Sequence, residues 1–168
     1  GIRLVAASAP LWFKLLLLPE LTEHLERAIS RVTPLLGIPL SIVMRLHIAL
    51  AHSIFHAVGP VPEVGIALDR ALVLADQIGD SEAQCQIVWA QFGHYSTLGD
   101  YHPMMQNVER ARSLAATFPE PIFAATYDRI AALGFHLLGE QDRARQHGLR
   151  ALNYAAIQRH DGGFVYDH

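Results

Sequence analysis

Apolar residues recur at intervals of three and four along most of the chain. The clearest stripe is made by Ile66, Leu68, Ala71, Leu72 and Ala75. This spacing has the period of an α-helix with an apolar face broad enough to pack against neighbours. Since no segment shows the sustained alternation of a half-buried strand, the pattern predicts an all-α protein.

Glycine and proline separate the helical segments. Glycine suits the left-handed end of a helix, and proline suits the first turn, where its missing N–H is not needed. The segments between these breaks are about 14 to 20 residues long, a length typical of helices. The sequence therefore predicts eight helices with short connections, the first running from Leu4 to Leu18. The main breaks fall at Pro19, Pro34, Gly37, Pro39, Gly59, Pro60, Pro62, Gly79, Gly99, Pro119, Pro121, Gly139, Gly162 and Gly163.

The chain also repeats itself with a period of 40 residues, which brings Gly59, Gly99 and Gly139 into register. An aromatic residue precedes each glycine, and an Arg-Ala pair follows it. A weaker first copy matches at a shift of 43 residues. The matched positions are Phe55, Tyr95 and Phe135, then Arg70-Ala71, Arg110-Ala111 and Arg150-Ala151, with Glu26-Arg27-Ala28 in the weaker copy.

Each copy is predicted to be one helical hairpin, that is, two helices joined by a tight glycine turn. A hairpin cannot bury its apolar face alone, so stacked neighbours must cover it. We expect the repeated alanines to let helices approach closely, and the repeated arginines to lie on a solvated or inter-repeat face. The sequence predicts a single domain over residues 1–168, with hairpins at approximately 3–35, 40–79, 81–118 and 121–158.

This arrangement resembles the tetratricopeptide repeat. The third copy fits best, with Ala132, Phe135, Gly139, Ala144 and Ala151 in the family's spacing. The period of 40 exceeds the usual 34, and His52, Phe92 and Met104 stand where small residues are expected. The resemblance implies a TPR-like α-solenoid, a right-handed superhelix of about four antiparallel helix hairpins.

Several short stretches are similar to the C-terminal helical-repeat region of bacterial ATP-binding, STAND-type winged-helix transcriptional regulators. The resemblance implies a non-catalytic, cytoplasmic module for protein interaction or effector sensing, belonging to a larger protein with nucleotide-binding and DNA-binding domains. The absence of a starting Met fits a fragment of such a protein. The stretches are Ala9-Pro10-Leu11-Trp12-Phe13, Gly59-Pro60-Val61-Pro62-Glu63-Val64-Gly65, Ala71-Leu72-Val73-Leu74-Ala75, Leu137-Leu138-Gly139-Glu140-Gln141 and Phe164-Val165-Tyr166-Asp167-His168.

Composition narrows the function further. The net charge of -3 argues against direct nucleic-acid contact, which needs a basic patch. Cys85 is the single cysteine, so a disulfide scaffold is excluded. No unbroken apolar run approaches the roughly 20 residues that cross a bilayer, so no membrane association is expected. With 51% hydrophobic residues, the chain has ample material for a buried core.

No catalytic or cofactor site is predicted. The single lysine, Lys14, lies outside any phosphate-binding loop, and Cys85 has no adjacent base. Carboxylates such as Glu109 and Asp128 are expected to be charges on helix surfaces. His52 and His56 share a helix face at a spacing that lets two imidazoles reach one metal ion. We expect His52 to be a structural residue and predict no metal, but a histidine-based metal-binding or enzymatic helical protein stays open as the alternative function.

A binding surface is the remaining candidate site. The first helix of each tetratricopeptide hairpin lines the concave side, so the resemblance implies a surface for a protein, a peptide or a small effector. The alternative for Trp89 is a buried position in the core, and the alternative for Arg129 is an ion pair with a nearby acidic residue. The first helix is apolar nearly all round, which predicts contact with a preceding domain or a homodimer. The surface candidates are His56, Trp89, Ser96, Arg129 and His136.

Overall fold

The protein is all-helical. The computed structural model describes the backbone of residues 1–32 and 37–160 and the side chains as far as residue 154. These parts of the chain form eight α-helices and no strand, which confirms the all-α prediction. The helices are α1 (Ile2–Lys14), α2 (Leu18–Ser30), α3 (Leu40–Ala57), α4 (Pro62–Ile78), α5 (Ser81–Leu98), α6 (Tyr101–Thr117), α7 (Pro121–Leu137) and α8 (Gln141–His160).

The helix ends follow the glycine and proline breaks. Pro62 and Pro121 are the first residues of α4 and α7. The Asp80 side chain accepts a hydrogen bond of 2.9 Å from the Ala83 N–H and so caps α5. Gly79 ends α4 in the left-handed conformation. The 40-residue period is visible in the backbone too, because its turn glycines all have positive φ: Gly59 (109°), Gly99 (71°) and Gly139 (80°).

The first helix is shorter than predicted. The sequence pattern placed its end at Leu18, whereas α1 stops at Lys14 and Leu18 already begins α2. The turn between them is closed by backbone hydrogen bonds, and Leu16 takes a positive φ of 56°. Leucine is a good helix former, so a run of leucines carries no signal for this turn.

The chain divides into two compact units, residues 1–90 and 91–168. In the first unit α2 and α4 both pack against α3, and α1 contacts α2 and α3. The core of α1, α2 and α3 contains Ala6, Ala9, Leu21, Leu25, Ala28 and Leu46.

Two hydroxyl groups set the register of α2 against α3. The hydroxyl of Ser53 is fully buried and donates to the carbonyl oxygen of Leu18 at 2.9 Å. Its oxygen also lies 2.7 Å from that of Thr22. These bonds join the start of α2 to the end of α3, so the two helices run antiparallel.

In the second unit α7 packs against both α6 and α8. Gly134 of α7 permits a close approach to α6. A β-carbon at Gly134 would lie 3.2 Å from Met105 Sδ and 3.2 Å from Val108 Cγ2. The contact between α6 and α7 therefore depends on a residue without a side chain.

Among the described residues, one helix, α3, is long and apolar enough to cross a membrane by length and composition alone. Within the fold, 44% of this helix is buried. The core helix of a soluble protein passes the same test of length and composition.

We expect substitutions at two helical glycines to have opposite effects. Gly134→Val should lower the free energy of unfolding by about 1–3 kcal/mol, because it overpacks the contact with α6. Gly148→Ala has no atom within 4 Å of the new β-carbon. It should raise stability by about 0.5–1 kcal/mol through the better helix propensity of alanine. Urea unfolding measures both, and equal losses in the two variants would contradict the close approach.

Candidate functional site

The first unit carries a groove between α2 and α4, with α3 beneath it. Its volume is about 300 Å³. Apolar side chains from all three helices line it: Ile29, Leu50, Ile54, Ile66 and Ala67. The polar lining consists of Glu26, Ser30, His47, Glu63 and Arg70. The groove thus combines an apolar surface with charges of both signs.

Helical spacing places these residues along one wall. On α4, Glu63 and Arg70 are seven residues apart, with Ile66 and Ala67 between them. Seven residues make about two turns, so all four lie on one face over roughly 10.5 Å of helix. Glu63 is exposed in the first turn of α4, and Arg70 is also exposed. The α4 wall is therefore acidic at one end and basic at the other.

His47 is the unusual residue of the groove. It is only 6% exposed, and its Nδ1 is buried without a hydrogen-bond partner. Leaving a buried polar group unpaired costs about 1–3 kcal/mol. Burial, and secondly the positive charge of Arg70, hold the pKa of His47 below its ordinary value. The folded protein therefore keeps a neutral imidazole with unused hydrogen-bonding capacity beside a guanidinium.

The charged groups of the groove are not engaged elsewhere. In the described part of the chain, neither Glu26 nor Glu63 lies within ion-pair distance of a basic side chain, and Arg70 has no acidic partner. An exposed ion pair contributes little to stability, so the fold loses little by leaving these three side chains without one. They are therefore available to a ligand.

A second cavity of about 490 Å³ lies between α1 and α2. Its charged side chains are Arg3, Arg27 and Arg31, and its lining extends to Gly1 and Ile38. Arg27 forms an exposed ion pair of 3.6 Å with Glu23. This cavity has charge of one sign and no buried unpaired polar group, so the groove over α3 is the stronger candidate.

The second unit contains a buried polar cluster that the sequence analysis missed. Asp128, expected on a helix surface, is only 3% exposed. Its Oδ1 lies 2.7 Å from His147 Nδ1 and accepts a hydrogen bond of 3.0 Å from Arg150 Nε. The expectation for Asp128 was wrong because its partners lie 19 and 22 residues away, beyond the range of helical spacing.

This cluster joins α7 to α8 and does not form an open site. The His147 ring packs between Tyr127 and Phe135, with ring centres 5.2 and 5.4 Å away. Since His147 is 8% exposed, a substrate has little access to it. The arrangement is that of a structural tie within one hairpin, and the Arg150 side chain is half exposed.

Two of the surface candidates lie in the first unit. His56 is exposed near the end of α3, and its ring makes edge contacts with Phe13 and Phe55 at 6.5 and 5.6 Å. Trp89 lies on α5 and is 36% exposed, so it is not a fully buried core residue. Neither residue lines the groove or the second cavity.

The other three candidates lie in the second unit. The Ser96 hydroxyl donates to the Gly93 carbonyl within its own helix at 2.9 Å. His136 Nδ1 lies 3.0 Å from Gln141 Oε1, across the turn between α7 and α8. Arg129 is exposed on α7. A binding surface shared by the five candidates stays a prediction.

The rings of His52 and His56 both lie against the ring of Phe13. The pKa of His52 is lowered, first by burial of the ring and secondly by the charge of His56. The His52 ring makes an edge contact with Phe13, at 6.4 Å between centres. Over the part of the chain that the structure describes, no group of three or more His, Cys, Asp or Glu residues could hold a metal ion.

Two comparisons with known proteins give no indication of the function. No model of a known protein family matches the chain. A search of curated proteins finds no match either.

The buried His47 predicts acid sensitivity. In the unfolded chain its pKa returns to 6.5, so the unfolded state binds more protons than the folded state below that pH. The stability due to neutral His47 is present above pH 6.5 and is lost as the pH falls, by at most about 1.4 kcal/mol per pH unit. His47→Gln should make the acid side of the stability curve shallower in urea unfolding. An unchanged slope would contradict the burial of a neutral imidazole.

The Asp128 cluster predicts a large stability difference between two carboxylates. Asp128→Ala removes the carboxylate that contacts both His147 and Arg150, and should cost about 1–3 kcal/mol of unfolding free energy. The matched control is Glu109→Ala, which removes an ion pair with Arg112 whose side chains are 60% and 57% exposed. That control should cost less than about 1 kcal/mol. Denaturant unfolding compares them, and similar losses would refute the structural tie.

Proposed function

We propose that this chain is a non-catalytic helical-repeat module that senses an effector or a partner protein for a bacterial signal-responsive transcriptional regulator. The observation that carries the proposal is the repeated turn. Gly59, Gly99 and Gly139 lie 40 residues apart, and each takes a positive φ between two helices of similar length. Such repetition is typical of proteins built from stacked helical pairs, which work mainly as binding surfaces.

The finer architecture belongs to the same proposal. We infer that the hairpins stack as a TPR-like, right-handed solenoid. Ala71 and Ala111 support this, since they occupy equivalent repeat positions and are 0% and 2% exposed. Small buried residues at a fixed repeat position are what close helix stacking needs.

Two kinds of partner fit this module. The mixed groove over α3 suits a small effector, because a few polar groups there surround an apolar surface. The exposed leucines of α1 suit a protein surface, either a neighbouring domain or a second copy of the chain. Leu4 and Leu11 lie seven residues apart on α1, and Leu15 directly follows the helix; they are 70%, 58% and 58% exposed.

The proposed surroundings are cytoplasmic, where a transcriptional regulator acts. The net charge of -3 gives this module no electrostatic attraction to nucleic acid, so DNA contact falls to another domain. In this proposal His56, Trp89, Ser96, Arg129 and His136 are contact residues for a protein or peptide partner.

The proposal predicts what the rest of the reading frame encodes. Upstream of this chain we expect a nucleotide-binding domain with a Gly-rich loop ending in Gly-Lys-Ser or Gly-Lys-Thr, together with a winged-helix domain. Sequencing the gene around the chain checks this directly. A frame that encodes only this helical region, or an unrelated enzyme domain, would contradict the regulator proposal.

A further inference from the structure

We propose that the groove between α2 and α4 in the first unit binds a free basic α-amino acid, arginine or lysine. The inference rests on the proposed function, because it names the chemical class of the effector. Arg70 and His47 would hold the α-carboxylate, Glu26 the α-ammonium group and Glu63 the side-chain cation.

The carboxylate position follows from Arg70 and His47. Both line the groove, and they are close enough for the charge of Arg70 to act on the imidazole. A guanidinium binds a carboxylate with two parallel hydrogen bonds. A neutral imidazole has one N–H donor, and Nδ1 of His47 is buried without a hydrogen-bond partner. A carboxylate between the two side chains would accept hydrogen bonds from Arg70 and from His47.

The ammonium position follows from the register of α2 against α3. Thr22 lies beside Ser53, and the two helices are antiparallel. Glu26 follows Thr22 by four residues on α2, so it lies opposite Ala49, which precedes Ser53 by four residues on α3. Along the axis of α3, Ala49 is two residues, or about 3 Å, from His47. An acidic and a basic group therefore face the same part of the groove, as the two charges on one α-carbon require.

The side-chain position follows from the length of the α4 wall. Glu63 and Arg70 are separated by about 10.5 Å along the axis of α4. The extended side chain of a bound arginine or lysine can span this distance together with the side chains of Glu63 and Arg70. Leu50, Ile54 and Ile66 line the stretch between them. The methylene groups of the ligand would pack on this apolar surface while its cation stays near Glu63.

The charge balance selects this ligand over related ones. Glu26, Glu63 and Arg70 together carry one net negative charge, and arginine or lysine carries one net positive charge. An apolar amino acid leaves Glu63 uncompensated, and a diamine leaves Arg70 and His47 without an acceptor. The volume of about 300 Å³ lies at the small end of ligand pockets, which fits a single amino acid.

The test is titration of the full chain with L-arginine and L-lysine, read by calorimetry and by the midpoint of thermal unfolding. L-norleucine lacks the distal cation, and agmatine lacks the carboxylate. We expect saturable one-to-one binding of arginine or lysine. Norleucine and agmatine should each bind at least about ten-fold more weakly, the equivalent of about 1.4 kcal/mol.

Matched variants locate the site. Arg70→Gln should weaken arginine binding at least about ten-fold, whereas Arg45→Gln, an exposed arginine of α3 outside the groove, should leave it unchanged. Glu63→Gln should weaken arginine binding and leave the weak binding of norleucine unchanged. Its control is Glu20→Gln, since Glu20 and Glu63 occupy the first turns of α2 and α4. Circular dichroism verifies that each variant is folded.

Three results would contradict the inference, two of them in part and the third as a whole. Norleucine binding as tightly as arginine would overturn the role of Glu63, and agmatine binding as tightly would overturn that of Arg70 and His47. A folded chain that gives neither heat nor a thermal shift with arginine and lysine would overturn the whole inference. That failure would leave the proposed function intact if the upstream frame encodes the nucleotide-binding domain, so the two claims fail separately.

Discussion

The groove of the first unit depends on one link, in which the hydroxyl of Thr22 meets that of the buried Ser53. Their oxygens are 2.7 Å apart, and Ser53 also donates to the backbone of α2 at 2.9 Å. Both bonds fix how far α2 extends along α3. Because each residue of a helix turns the side chain by about 100°, a shift of one residue would point Glu26 away from the groove. The arrangement of charges around His47 is thus a consequence of helix register.

The same register of α2 against α3 leaves polar groups of the groove unpaired, which lowers the stability of the protein when no ligand is bound. His47 is kept neutral and buried with an unpaired Nδ1, and the charges around it have no ion-pair partners in the described chain. A core chosen for stability alone would place an apolar residue at such a position. Strain and unmet polar groups of this kind concentrate where a protein binds something. The cost at His47 is understandable if a ligand relieves it.

Much of the fold was predictable from the sequence, because its causes are local. The helical period of the apolar residues gave the all-α class, and the spacing of Gly59, Gly99 and Gly139 placed three turns correctly. The end of α1 was not predictable, since the leucines after Lys14 favour a helix as strongly as those before it. The turn at Leu16 brings α2 against α1 and α3, and contacts of this kind are not encoded in the local pattern.

The candidate sites were harder to predict, because they join residues that are distant in sequence. Glu26 and Arg70 are 44 residues apart, and Asp128 meets partners on the following helix. The family resemblance directed attention to the first helix of each hairpin, whereas two walls of the groove come from second helices. Glu26 and Arg70 did appear in the repeat pattern, but spacing alone does not distinguish a packing position from a ligand contact.

The most direct measurement is the nitrogen NMR spectrum of the histidine side chains during titration with arginine. The chain is labelled with ¹⁵N in its imidazole rings, and His47→Gln identifies the resonances of His47. Our account predicts that the His47 ring signals shift most, in proportion to the occupancy of the site. Saturable binding with an unmoved His47, or with the largest shifts at another histidine, would contradict it.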